Sequence, residues 1–236
     1  MSTFRRSLLA AAASLPLLAA LPVLAEDAPY VTAADVNFLL LLPPPPARNS
    51  ALDQAEIAQV LEIQRSRSPE RAALAVHDAT ETPEAMFGTV MGPDFTAAKL
   101  PLTIAFLAHV AENEDVLTDP AKKGFGRPRP HLVNAEIKPI VPLSTSGSYP
   151  SGHTTRGTMT GIVLAAMVPE RHDAILARVQ EYGQSRLVGG IHYASDIEAG
   201  YRAGTAAAAV MMTKPAFQAD FAKARAELRA ALGLQP

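Results

Sequence analysis

The chain has 236 residues, 48% of them hydrophobic, with 21 basic and 23 acidic side chains and no cysteine. That length suits one sizeable domain, and a slightly acidic balance excludes the basic surface that nonspecific nucleic-acid binding needs. Without cysteine there is no disulfide, zinc–thiolate or iron–sulfur site, so the fold must rest on its core.

In chain order, Arg5 and Arg6 precede an apolar stretch from Leu8 to Leu24, with small residues around Val23-Leu24-Ala25. This reads as a secretory signal peptide over 1–25, cut after Ala25, and places the protein in a periplasm or outside the cell. Pro16, Pro22 and the polar Glu26-Asp27 argue against the alternative of an uncleaved anchor. Removal takes two arginines and no acid, so the remaining domain, 26–236, carries about −4. Pro43–Pro46 cannot be helical and should form a stiff strap lying across the domain.

From Ser50 onward the period is helical, with Ser50 as N-cap and Leu52, Ala55, Ile57, Val60, Leu61 and Ile63 at three- and four-residue spacing. Further helices are expected over Arg71–His77, Phe95–Leu117, Ser151–Val168, Arg171–Leu187, Ala194–Met212 and Ala216–Leu232. The helix at 151–168 is apolar on most sides and should be central. Period-two patterns are almost absent, so the fold class is all-α, a single-domain helical bundle. Apolar runs such as Gly161–Val168 fall well short of the roughly 18–20 residues that span a bilayer, so no membrane association is expected of the mature domain.

Three segments carry chemistry. Lys122–Pro130 holds Lys122, Arg127 and Arg129 among glycines and prolines, and reads as a loop with cations fixed on stiff backbone. Guanidinium forks match phosphate oxygens, and a lysine adds a point charge. Pro150-Ser151-Gly152-His153 leads into the central helix, where unpaired N–H groups suit an anion, Ser151 can donate a hydroxyl, and His153 sits beside it. Ser185-Arg186 is followed by His192 and Asp196, whose i, i+4 spacing lets the carboxylate hold one imidazole nitrogen and leave the other as a nucleophile. Each segment alone has a bland explanation: a solvated basic loop, ordinary capping, a surface pair.

Taken together, K-x6-RP, PSGH and SR-x5-H-x3-D resemble the three-part pattern of the type 2 phosphatidic acid phosphatase (PAP2) superfamily. The Leu-Leu-Pro-Pro-Pro-Pro segment at 41–46 and Gly-Ser-Tyr at 147–149 make the chain similar to the class A bacterial nonspecific acid phosphatases. The resemblance implies a helical bundle of the PAP2/vanadium haloperoxidase type and a broad-specificity phosphomonoesterase. It implies His192 as nucleophile through a phosphohistidine, Asp196 as its orienting partner, and His153 as the acid that protonates the leaving oxygen and then activates water. Lys122, Arg129, Ser151, Gly152 and Arg186 would bind the phosphate. With these fixed cations neither a metal nor another cofactor is expected.

Substrates would be small phosphomonoesters such as nucleotides, sugar phosphates and aryl phosphates, with inorganic phosphate or vanadate as site ligands. Related enzymes also imply a homo-oligomer. One departure is visible: Gly124–Pro128 replaces the Y-x-R-x-R-P arrangement common in that family, which leaves substrate preference and the role of Arg127 open. His131 could border the pocket, whereas His77, His109 and His172 read as packing or surface residues. The competing readings are a vanadium-dependent haloperoxidase, a membrane lipid phosphatase of the same superfamily, and a phosphate-binding protein without turnover.

Overall fold

The computed structural model describes residues 28–235. The signal peptide expected over 1–25 lies outside them. Ten α-helices follow one another among the described residues, with no strand: α1 Phe38–Leu41, α2 Ala51–Ser66, α3 Pro69–His77, α4 Pro83–Met91, α5 Pro101–Phe125, α6 Pro130–Val133, α7 Gly152–Met167, α8 His172–Val188, α9 Ala194–Met211 and α10 Pro215–Ala231. A 3₁₀ turn, Pro169–Arg171, joins α7 to α8. None of these helices is long and apolar enough to cross a membrane.

Local chemistry sets most helix starts. Ser50, Ser68, Thr82 and Ser151 each cap a helix by accepting a backbone N–H from the first turn, and Pro69 and Pro83 stand just inside their caps. These residues satisfy donors that the helix itself leaves orphaned.

Packing sets the centre. α7 lies against α9, α8 and α5, and Met159, Val163, Leu164 and Met167 along it are fully buried. Removing most of one such side chain, as in Leu164→Ala, would cost about 2–5 kcal/mol. The start of this central helix therefore sits inside the bundle, walled by the helices around it.

The proline strap runs across the outside as the sequence predicts. It is held where the Tyr149 hydroxyl donates to the Pro43 carbonyl at 2.6 Å, and Pro43, Pro44 and Pro46 line a shallow groove with Leu52 and Arg202.

One expectation is corrected. Lys122 is not on a loop: α5 begins at Pro101, later than expected, and runs through Pro120 to Phe125. A proline inside a helix costs about 3 kcal/mol, but Leu117 and Ala121 on either side are buried, and their packing holds the helix together. It ends where Gly126 takes φ 61° and returns its N–H to the Lys122 carbonyl. Only Arg127-Pro128-Arg129 is extended, before the short α6. The helices α1, α4 and α6 were not anticipated: each is short, α4 and α6 begin at a proline, and none shows a long apolar period.

Candidate active site

A cavity of about 460 Å³ opens at the N-terminal end of α7. Lys122, Arg129, Gly152, His153, Arg186 and His192 all line it, so six side chains or backbones from all three predicted segments meet in one place. Asp196 and Ser151 stand immediately behind, both fully buried.

His192 lies in the turn before α9. Its Nδ1 is 3.1 Å from Asp196 Oδ2, and its Nε2 is 3.1 Å from Arg129 Nη1. An arginine can only donate, so Nε2 keeps its lone pair and the ring proton sits on Nδ1, donated to the carboxylate. Burial, followed by the charges of Arg129, Arg186 and Lys122, holds the imidazole well below the usual histidine pKa. A neutral ring whose oriented Nε2 carries the lone pair is the form a nucleophile needs.

Asp196 is held from four sides. Arg127 Nη1 donates to Oδ1 at 2.7 Å, and Ser148 Oγ and the Tyr193 N–H donate to Oδ2 at 2.5 and 3.0 Å; His192 is the fourth donor. Burial pushes its pKa up to about 6, while Arg127 and Ser148 pull the other way. Arg127 itself lies 3.8 Å above the Tyr193 ring and pairs with Glu56 at 2.7 Å. Its role is thereby assigned: it braces Asp196 from behind and does not line the cavity.

Arg186, in the last turn of α8, is buried, and its Nε and Nη1 have no hydrogen-bond partner. Burial lowers its pKa. A guanidinium left unsatisfied on a cavity wall calls for an anion. Arg129 is fixed instead by carbonyls, its Nε donating to Ser146 O at 3.0 Å. Lys122 Nζ stands 3.4 Å from Glu114 Oε1.

The start of α7 is crowded. A Cβ on Gly152 would fall 2.0 Å from Glu114 Oε1 and 2.6 Å from Lys122 Nζ, so only glycine lets these side chains reach the first helical turn. Ser151 Oγ is engaged as N-cap, accepting from Thr154 N and Thr154 Oγ1 at 3.3 and 2.9 Å. Its backbone N–H donates to Asp196 O at 3.0 Å, which ties the second segment to the third.

His153 stacks on Tyr182 with ring centroids 4.0 Å apart. Its Nδ1 is 2.8 Å from Glu81 Oε1, and its buried Nε2 has no partner. Burial and Arg186 bring its pKa down to about 4, against the pull of Glu81. Glu81, Glu114 and Arg156 are cavity residues that the sequence did not reveal. No motif marks them, and α3–α4, α5 and α7 bring them together only in the fold. His131 does not line the cavity.

These helices, and a pocket that gathers Lys122, Arg129 and Arg186 around PSGH and an H-x-x-x-D pair, define a phosphate-handling enzyme of the helical-bundle class. The family model described as the PAP2 superfamily matches residues 99–219, and the chain belongs to that superfamily. It is 34% identical over 200 residues to the non-specific acid phosphatase of Providencia stuartii, with 81% of each chain covered. It is 33% identical over 201 residues to that of Salmonella typhimurium, covering 82% of this chain and 80% of that one. Among solved structures, a bacterial vanadium-dependent iodoperoxidase shares the fold with a TM-score of 0.56 at 20% identity, over 73% of this chain and 52% of that one.

Proposed function

We propose that this chain is an acid phosphatase that hydrolyses phosphate monoesters of broad structure through a phosphohistidine on His192, without a metal. Phosphatase function follows from the family and its acid phosphatase relatives; the mechanism is our reading of the geometry. The observation that carries it is His192, neutral, with Nδ1 on Asp196 and the Nε2 lone pair beside Arg129 on the cavity wall.

In the first step the Nε2 lone pair forms the N–P bond while the ester P–O bond breaks. The departing oxygen takes a proton from Nε2 of protonated His153. In the second step neutral His153 removes a proton from water, whose oxygen forms the new P–O bond as the N–P bond breaks. Lys122, Arg129, Arg186, the Ser151 hydroxyl and the backbone at Gly152 hold the equatorial oxygens. Phosphoryl transfer depends chiefly on positioning and charge, and the three cations that line the cavity supply that charge.

Substrates in this reading are small phosphomonoesters such as nucleotides, sugar phosphates and aryl phosphates, met in a periplasm or outside the cell. The test is p-nitrophenyl phosphate turnover before and after dialysis against EDTA. Turnover unaffected by EDTA supports the reading. No turnover, or loss restored by Mg²⁺ or Zn²⁺, refutes it.

A further inference from the structure

The two cavity histidines are built alike. Each turns Nδ1 to a carboxylate, His192 to Asp196 at 3.1 Å and His153 to Glu81 at 2.8 Å. Glu81 comes from the segment between α3 and α4, far from His153 in sequence, and lines the same cavity. Burial opposes its charge, but the hydrogen bond with His153 and the charge of Arg156 hold its pKa down to about 2, so it is ionised. An ionised carboxylate only accepts, so Nδ1 carries the proton that points at it.

The pair is itself fixed. Tyr182 stacks on the imidazole at an interplanar angle of 16°, and its hydroxyl donates to Thr80 O at 3.3 Å, beside Glu81. Arg156 reaches Glu81 at 3.5 Å and Glu114 at 3.1 Å, and Glu114 in turn meets Lys122. A line of alternating charges thus runs from the acid His153 to the phosphate-binding lysine.

We propose that Glu81 is the positioning residue of the leaving-group acid. It anchors Nδ1–H of His153, so that the proton to be transferred sits on Nε2, the one ring nitrogen without a partner. It also stabilises the imidazolium that must exist before the P–O bond breaks. This rests on the phosphohistidine reading above, in which His153 protonates the departing oxygen. Nothing in the sequence marks Glu81, because the contact exists only where the 78–82 segment crosses the first turn of α7.

The test compares leaving groups, using kcat/KM so that only the first step is read. 2,4-Dinitrophenyl phosphate departs without a proton, whereas an alkyl phosphate requires one. In Glu81→Gln the activated ester should lose about threefold or less, while the alkyl ester loses about 10²-fold or more, the range that general acid catalysis spans. The plot of log kcat/KM against leaving-group pKa steepens accordingly. Combining Glu81→Gln with His153→Ala should add no further loss for the alkyl ester.

Equal losses for both esters, or independent losses in the double variant, would overturn the proposal and leave Glu81 a structural residue. A wild-type protein that hydrolyses neither ester would instead refute the phosphatase reading itself. Inorganic phosphate binding, followed by calorimetry, shows that the variants are folded. Glu81→Asp provides a second variant that keeps the charge, and it should recover more of the alkyl-ester rate than Glu81→Gln.

Discussion

Arg129 and Asp196 grip opposite edges of one imidazole. Arg129 Nη1 stands 3.1 Å from Nε2 of His192, and Asp196 Oδ2 stands 3.1 Å from Nδ1. The arginine therefore holds the place of a phosphate oxygen's partner and also selects the tautomer in which Nε2 can attack. A substrate phosphate would meet the guanidinium and the lone pair together.

Replacing His192 by alanine removes the atom that would bond to phosphorus. We expect kcat to fall on the order of 10⁴-fold or more, as with other covalent nucleophiles. Acid-quench trapping with ³²P-labelled substrate should label the wild type and leave His192→Ala unlabelled. Labelled variant protein would place the covalent bond elsewhere.

Arg186→Met should separate binding from stability. The wild-type guanidinium is buried with two nitrogens unsatisfied, so its removal should leave the melting temperature unchanged or higher. Phosphate or vanadate inhibition should weaken by about 10- to 100-fold for each charge-assisted bond lost, at ~1.5–3 kcal/mol apiece. A lower melting temperature with unchanged inhibition would contradict this.

Arg127→Met should behave in the opposite way. Arg127 is buried between Asp196 and Glu56, and its loss strands two buried carboxylates. Breaking such a set costs about 3–5 kcal/mol, readable as a lower midpoint in urea. Activity falls as well, because Asp196 loses its brace, while the KM for substrate changes less than in Arg186→Met.

Burial and the charge of Arg186 disfavour charge on His153, whose pKa is about 4. The groups around it are Glu81, Arg156, Tyr182, Arg186 and His192. A bound phosphate dianion offsets the arginines and raises that pKa. Between the free and bound values, binding of a tetrahedral dianion takes up a proton, so sulfate, whose own charge does not change between pH 7 and 5, should bind more tightly as pH falls over that range. Calorimetry in buffers of different ionisation enthalpy measures the uptake, and His153→Asn should reduce it. Proton release on binding would reverse the sign and refute the assignment.

The same shift bears on stability. His153 binds its proton more weakly in the folded state than when unfolded, so its contribution is present above about pH 6.5 and is lost as pH falls toward 4. Asp196, raised to about 6 by burial, acts in the opposite sense, its contribution growing as pH falls from 6 toward 4. In Asp196→Asn this opposing term is gone, and the acid destabilisation measured by urea titration should be steeper than in the wild type.

Much of this site was legible in the chain. PSGH ahead of an apolar period already states a capped helix start with a histidine beside it. His192 and Asp196 needed only the i, i+4 geometry of a helix entrance. Helix existence was readable wherever apolar residues kept a 3.6-residue period, as in α2, α7 and α8. It was misread beyond Leu117, where the glycines of the Lys122–Pro130 segment argued for a loop and the burial of Leu117 and Ala121 carried the helix onward.

The sequence by itself therefore determined the all-helical class, the three charged segments and the chemistry they can perform together, because these depend on residue type and short-range spacing. Only the tertiary structure decided which neighbours tune them: Glu81 on His153, Arg127 behind Asp196, Glu114 against Lys122, and an unpaired Arg186 on the cavity wall. Those contacts join residues many positions apart, and no local period or spacing records them. They arise because α7 is buried among α5, α8 and α9, so that its first turn meets side chains from four separate stretches of the chain, and each buried charge there must find a partner or await an anion.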